Sequence, residues 1–245
     1  MNKKQILIIG DSHTDAIKRA LKHFYVDQVE IKAYRYSKLK NGEKIGDMTP
    51  EEILKLASTL SSEDLFVSTI GGNQHQVVSL MQHPIPFDIF SPSGVGDCKS
   101  SIHIIPYVTL FDFFESGIRF GDWARLSKVC NIAQCRVCHI VPPPPKEDKE
   151  HILKRHETHF VKAGLAEKGV TSAALRLKIW LLQVEVLKKL AKEYDVQLVM
   201  PPNESLDPNG FLSNEYYAND ATHANSAYGE LVLQKLVKLC MANGL

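Results

Sequence analysis

The sequence predicts a single α/β domain, a three-layer α/β/α sandwich built around a parallel sheet of five strands. Five short apolar or β-branched runs alternate with segments whose apolar residues recur at helical spacing. The first and last runs are hydrophobic almost throughout, as strands must be when helices cover both faces of a parallel sheet. A chain of 245 residues can bury the core of such a domain. We therefore expect one domain over residues 1–245.

The predicted strands occupy residues 5–9, 29–34, 65–70, 135–141 and 196–200. Because helical segments separate them, the strands are expected to pair in parallel through crossover connections.

Four helices are predicted between and after these strands. The first carries one apolar face, formed by Ile17, Ala20, Leu21 and Phe24. The second begins at Thr49-Pro50-Glu51-Glu52, a capping box with proline at the first helical position. The third has an apolar stripe from Leu175 to Leu190, and the fourth covers about residues 226–240.

Residues 81–127 interrupt this alternation with many proline, glycine, serine and aromatic residues and without clear periodicity. Long insertions of this kind are commonly functional or mobile. Because it lies between the third and fourth strands, the insertion is expected to wall the functional site. A packing appendage or a partner surface is an equally good interpretation.

Composition and charge exclude several classes of protein. The net charge is +1 and no block of lysine or arginine occurs, which argues against a nucleic-acid partner. No apolar stretch approaches the roughly 18 residues of a membrane span, and the apolar run at the start is too short for a signal peptide. Five cysteines form a poor disulfide framework. We expect reduced thiols and a cytoplasmic location, with the oligomeric state left open.

Three polar clusters follow predicted strands. They are Gly10-Asp11-Ser12-His13, Gly71-Gly72-Asn73-Gln74-His75 and Asp220-Ala221-Thr222-His223. Each alone fits a helix cap, a turn or a surface pair. Ligands of open parallel sheets bind at the carboxyl ends of the strands, so the three clusters together predict one site.

The residue types in these clusters suit acyl transfer. Ser12 supplies a hydroxyl, which becomes a nucleophile when a base such as His223 removes its proton. Asp220 is placed to orient the imidazole. The oxyanion would be stabilised by the Asn73 amide and by the backbone N–H of Ser12. Gly72 would let the backbone approach the substrate closely.

These motifs resemble those of the SGNH/GDSL hydrolases. Gly10-Asp11-Ser12 resembles the first signature block of that family, Gly72-Asn73 the third, and Asp220-x-x-His223 the fifth. The order and spacing match over nearly the whole chain except residues 81–127. The resemblance implies the SGNH hydrolase fold, with a flavodoxin-like sheet. It also implies roles at the substrate-binding surface for Asp11, His13 and Gly72.

The chain departs from the family pattern at three places. His13 replaces the leucine of the GDSL name, a variant that resembles members linked to bacterial glycan metabolism. Gln74 follows Asn73 where aspartate is usual. The glycine of the second block, an oxyanion donor in the family, is not obvious: Gly42 is the candidate, with Gly46 and Ser37 as alternatives.

The leading hypothesis is a serine esterase that hydrolyses small acyl esters through an acyl-enzyme on Ser12. The resemblance suggests acetyl as the acyl group and a small molecule, sugar or glycan as its carrier. An acyltransferase to a sugar hydroxyl would use the same residues. A glycan-binding or scaffold protein without turnover is the third hypothesis, motivated by the absence of an obvious second-block glycine.

Neither a cofactor nor a metal is expected. No glycine-rich nucleotide loop follows a predicted strand. Cys135-Arg-Val-Cys138-His139 has the spacing of a haem attachment site, but it lies in a predicted buried strand. A group of histidines and glutamates, namely Glu150, His151, His156, Glu157 and His159, fits a solvated helix better than a metal site.

Overall fold

Five parallel strands form the central sheet of the computed structural model, which describes residues 3–40, 42–90, 92, 94, 103–154, 160 and 162–242. In sheet order they are β2 (Val29–Arg35), β1 (Lys4–Gly10), β5 (Leu65–Thr69), β8 (Arg136–Ile140) and β9 (Gln197–Val199). All four neighbouring pairs are parallel. Each strand overlaps a predicted one, and the order is that of doubly wound, flavodoxin-like sheets.

Helices cover both faces of this sheet. The described helices are α1 (Thr14–Ala20), α2 (Pro50–Ala57), α3 (Gln74–Ser79), α4 (Tyr107–Phe120), α5 (Asp122–Cys130), α6 (Lys149–Lys154), α7 (Leu165–Lys168), α8 (Ala173–Glu193) and α9 (Ser226–Met241).

Alternate residues of β1 point into two separate cores, as the pleat of a strand requires. Leu7 and Ile9 belong to the core under α2, α4, α5 and α8. Ile6 and Ile8 belong to the core under α1 and α9. The predicted three-layer α/β/α sandwich is therefore confirmed.

Side-chain caps mark the starts of two helices. The Thr49 side chain accepts a hydrogen bond from the Glu52 N–H (3.3 Å), and the Glu52 carboxylate accepts one from the Thr49 N–H (2.7 Å). This is the capping box predicted for α2. Helix α8 begins after Ser172, whose hydroxyl accepts from the Leu175 N–H. It ends before Asp195, a left-handed residue with φ of 53°.

The insertion contains more regular structure than its sequence suggests. Helices α4 and α5 follow a short parallel pair, β6 (Phe87–Ile89) and β7 (His103–Ile105). The two helices bury Phe114 and Trp123 in the main core, and a buried ion pair of Asp88 and Lys178 (3.1 Å) joins β6 to α8. The helical period of α4 is obscured because Gly117 lies in its interior and Phe113 is exposed on its surface.

A short hairpin and the buried residues of β8 are two smaller features of the fold. A hairpin of β3 (Lys38–Lys40) and β4 (Glu43–Ile45) follows β2 and was not predicted. Cys138 and His139, from the motif with haem-attachment spacing, are buried within β8, as expected for a core strand. Over the described residues, no helix combines the length and apolarity needed to cross a bilayer.

Candidate active site

The nucleophile candidate Ser12 lies in a tight turn between the end of β1 and the start of α1. The turn is closed by two hydrogen bonds, from the Thr14 N–H to the Asp11 carbonyl and from the Asp15 N–H to the Ser12 carbonyl (both 3.1 Å). Gly10 allows this turn to approach β5, because a Cβ there would lie 2.6 Å from backbone atoms of Thr69. The strand end and the turn together present Ser12 at the carboxyl edge of the sheet.

A chain of hydrogen bonds links Ser12, His223 and Asp220. The Ser12 Oγ lies 2.9 Å from the His223 Nε2, and the His223 Nδ1 lies 3.0 Å from the Asp220 Oδ2. A carboxylate only accepts, so the Nδ1–H donates to Asp220 and leaves Nε2 free to accept the serine proton. The structure thus brings together three residues from opposite ends of the sequence in the geometry of a serine nucleophile and its base.

The Asp220 carboxylate is held in place from several sides. Its Oδ1 accepts hydrogen bonds from the N–H groups of Thr222 (3.0 Å) and His223 (2.7 Å). The buried Lys146 Nζ lies 3.7 Å from the same oxygen and donates to the carbonyls of Ala218 and Asp220. Burial raises the pKa of Asp220, but the hydrogen bonds and charge of His223 outweigh it and hold the pKa below its usual range. Asp220 is therefore ionised at neutral pH.

The two oxyanion donors predicted from the sequence are the Asn73 side chain and the Ser12 N–H. Asn73 precedes α3 at the end of β5, and its side chain makes no capping bond to that helix. Asn73 and Ser12 line the same cavity. Within the described part of the chain, the Ser12 N–H has no protein acceptor. Both groups are thus available to a substrate oxygen.

The Asp11 carboxylate is bound by other groups of the protein. Its Oδ2 accepts from the Gly71 N–H (2.9 Å) and from the Arg125 guanidinium (2.9 Å), which also pairs with Asp122 (2.8 Å). Arg125 lies over the Tyr36 ring, 5.0 Å from its centroid. Burial raises the pKa of Asp11, but the charge and hydrogen bond of Arg125 and the Gly71 N–H lower it by more. The pKa of Asp11 is therefore below its usual value. Asp11 therefore connects the Ser12 turn to helix α5.

Gly42 is not brought to the site. It lies in the exposed turn of the β3–β4 hairpin with φ of +83°, and a Cβ there would meet no atom within 4 Å. Gly46 follows β4 and packs against the Tyr36 carbonyl, and the Ser37 N–H donates to the Met48 carbonyl (2.7 Å). Lys38, in the first strand of the hairpin, lines the cavity beside Ser12.

Ser12 lies between two unequal cavities. The smaller has a volume of about 20 Å³ and is mostly apolar; its walls include Ile17, Ile140, Pro142, Ala224, Tyr228 and Val232. The larger is an open cleft of about 560 Å³, lined by Lys38, Val77, Phe113, Gly117, Asp122 and Arg125, among others. Helices α4 and α5 of the insertion therefore form a wall of the site.

Several residues of this cleft could not be identified from the sequence. Phe113, Asp122 and Arg125 all come from the insertion, where no motif marks them. The signal that the sequence offered was the aromatic composition of that segment.

The histidine and glutamate group is only partly described. His151 lies within hydrogen-bonding distance of the Ala218 and Asp220 carbonyls (both 3.1 Å), which makes it a support of the Asp220 loop. His156, Glu157 and His159 lie outside the described residues.

The chain has similarity to several solved structures. No protein-family model and no curated protein matches it. A carbohydrate acetylesterase family member from Sinorhizobium meliloti is 14% identical, with a TM-score of 0.48 and coverage of 98% of this chain and 99% of that one. A GDSL-like lipase from Bacteroides thetaiotaomicron is 14% identical (TM-score 0.47; coverage 99% and 89%). An aryl esterase from M. smegmatis is 12% identical (TM-score 0.48; coverage 98% and 99%).

Proposed function

We propose that this protein is a serine esterase that cleaves small acyl esters of a ring alcohol, with acetyl esters of sugars as the favoured class. The observation that carries the proposal is the 2.9 Å contact between the Ser12 Oγ and the His223 Nε2, with the opposite ring nitrogen held by Asp220. A serine hydroxyl is a weak nucleophile until such a base is in place.

The reaction follows from this arrangement. The Ser12 Oγ attacks the ester carbonyl carbon while its proton passes to the His223 Nε2, and the charged imidazolium is stabilised by Asp220. Negative charge develops on the carbonyl oxygen, where the Asn73 amide and the Ser12 N–H donate; one such donor is worth roughly 10²–10³ in rate. The intermediate then expels the alcohol, which leaves with the proton from His223. Water, deprotonated by His223, attacks the acyl-serine, and Ser12 recovers its proton as the acid departs.

The small cavity supports a short acyl group. A cavity needs a volume of about 10–15 Å³ to hold one water molecule. The small cavity, with about 20 Å³, therefore admits a methyl group and little more. Its walls are largely apolar, including Ile140, Pro142 and Val232. An acetyl group fits these dimensions, and each further methylene would have to displace packed core atoms.

The wide cleft supports a ring alcohol with hydroxyl groups. Phe113 is exposed beside the cleft and offers an aromatic face, and Gly117, one turn later on α4, leaves the helix surface flat. Charged groups of Lys38, Asp122 and Arg125 line the same cleft and offer hydrogen-bonding partners. An apolar face with charged and polar groups around it matches a pyranose, which has C–H faces and hydroxyl edges.

Transfer of the acyl group to a sugar hydroxyl is the second candidate. The cleft of about 560 Å³ favours it, because an acceptor sugar could occupy the space vacated by the first alcohol. Both reactions share the acyl-enzyme, so the presence of acceptor sugars in the assay separates them.

The test of the proposed function is covalent labelling and turnover at Ser12. We expect the wild type to react with a fluorophosphonate probe and to hydrolyse p-nitrophenyl acetate faster than the butyrate ester. Ser12→Ala should abolish both signals with a melting temperature within a few degrees of wild type, because the hydroxyl acts in chemistry and not in packing. Ser58→Ala is the matched control, since Ser58 is exposed at the end of α2 and lines neither cavity. Retained labelling in Ser12→Ala would remove Ser12 as the nucleophile.

A further inference from the structure

His13 lies next to the nucleophile, and the reaction described above does not use it. Its ring lies between two functional residues: Nε2 is 3.1 Å from the Asn73 Oδ1, and the ring centroid is 5.2 Å from that of His223. It is therefore in contact with the oxyanion donor and close to the base.

The backbone around Gly72 is shaped to admit this imidazole. Gly72 has φ of +95°, and a Cβ there would lie 3.3 Å from the His13 Cδ2 and 3.1 Å from the Pro142 Cβ. A side chain at Gly72 would therefore press on the ring as well as strain the backbone. Gly72 also lines the small cavity beside Ser12, so its predicted closeness to the substrate stays a prediction.

The direction of the hydrogen bond follows from the chemistry of its partner. The Asn73 Oδ1 only accepts, so the His13 Nε2–H donates. Burial, followed by the neighbouring His223 and His75, lowers the pKa of His13 to about 3. His13 is therefore neutral at neutral pH and adds no positive charge beside the His223 imidazolium that forms during the reaction.

Asn73 depends on this contact for its orientation. The residue is exposed, and among the described residues His13 is the one hydrogen-bond partner of its side chain. With the carbonyl oxygen held by His13, the two N–H bonds of the carboxamide remain available to the cleft. A donor already oriented before the reaction costs no reorganisation when charge develops.

We propose that His13 is a positioning residue that holds the Asn73 carboxamide by its oxygen and so aims its N–H₂ group at the oxyanion. This inference rests on the proposed esterase function and deepens it. It gives the histidine that replaces leucine in the first motif a role in transition-state stabilisation through Asn73.

A double-mutant cycle tests this role. His13→Leu should lower kcat ~10-fold with KM nearly unchanged, because a loosely held donor is worth less than the ~10² lost in Asn73→Ala. In the Asn73→Ala background, His13→Leu should cost less than about 2-fold, since residues that act through one contact are not additive. His13→Gln, which keeps an N–H donor, should recover part of the loss. An equal cost of His13→Leu in both backgrounds would overturn the proposal.

Two further measurements separate the failure of this role from a failure of the proposed function. Nitrogen-15 NMR of the imidazole groups needs no turnover. Between pH 6 and 8 we expect the His13 ring to carry a proton on Nε2 and none on Nδ1. We expect its signals to shift in Asn73→Ala. A His13 ring that is charged or protonated at Nδ1 in this range would refute the positioning role whatever the activity. His23→Leu, an exposed histidine just beyond α1, is the control and should leave kcat unchanged.

Discussion

Two buried histidines should make the stability of this protein fall steeply in mild acid. His75 and His139 are 1% and 2% exposed, and burial lowers the pKa of each to about 4. In the unfolded chain both would titrate near the ordinary value of about 6.5. Their contribution is thus fully present above pH ~6.5 and is lost as the pH falls from there to about 4, because the unfolded chain binds the protons first.

The size of the effect follows from these values. When the pH is lowered from 7 to 5, each of these two histidines should decrease the free energy of unfolding by about 2 kcal/mol, and the two together by about 4 kcal/mol. This is a large part of the ~5–15 kcal/mol typical of a folded domain.

Urea denaturation at pH 7 and pH 5 measures this loss. His139→Gln keeps a polar side chain near the Ser68 hydroxyl, the partner of His139 at 3.1 Å, but cannot titrate, so it should make the loss smaller by about 2 kcal/mol. His23→Gln is the exposed control and should leave it unchanged. An unaltered pH dependence in His139→Gln would show that His139 is not held neutral by burial, and the reasoning would fail.

Two further predictions concern catalysis. Asp220→Asn should lower kcat and move the midpoint of the pH–rate profile to lower pH, because the carboxylate stabilises the His223 imidazolium and fixes the tautomer of the neutral ring. An unchanged midpoint would show that Asp220 does not take part in the mechanism. Gly117→Phe should fill the cleft next to Phe113 and reduce kcat/KM for an acetylated sugar more than for p-nitrophenyl acetate, whereas equal losses on both esters would argue against the cleft as the alcohol site.

The sheet was predictable because buried parallel strands must be apolar on both faces, and such runs stand out in a sequence. The positions of Ser12, Asn73 and His223 were predictable for a related reason: parallel strands end at one edge, so polar residues after separate strands meet there. The capping box at Thr49 also needed only local information.

The rest of the site depends on contacts that no local pattern encodes. The pairing of Asp11 with Arg125 joins residues 114 positions apart, and Arg125 lies on the polar side of an amphipathic helix whose apolar face is formed by Trp123, Leu126 and Val129. Gly42 was the candidate because it is a glycine that follows the second strand, but it lies in the exposed turn of the hairpin, and Lys38 of the same hairpin lines the cleft. The hydrogen bond between His13 and Asn73 joins residues 60 positions apart, and only the coordinates reveal it.

The unequal cavities beside Ser12 also bear on the order of events in a catalytic cycle. The acyl group would be enclosed on one side, while the alcohol departs through the open cleft and leaves the acyl-serine facing solvent. The incoming water, or an acceptor sugar, then has one route of entry, the route by which the first product left. The departing alcohol and the second reactant should therefore compete for a single space. Steady-state kinetics would show this as ping-pong behaviour, with the free alcohol intercepting the acyl-enzyme and reversing the first half of the cycle.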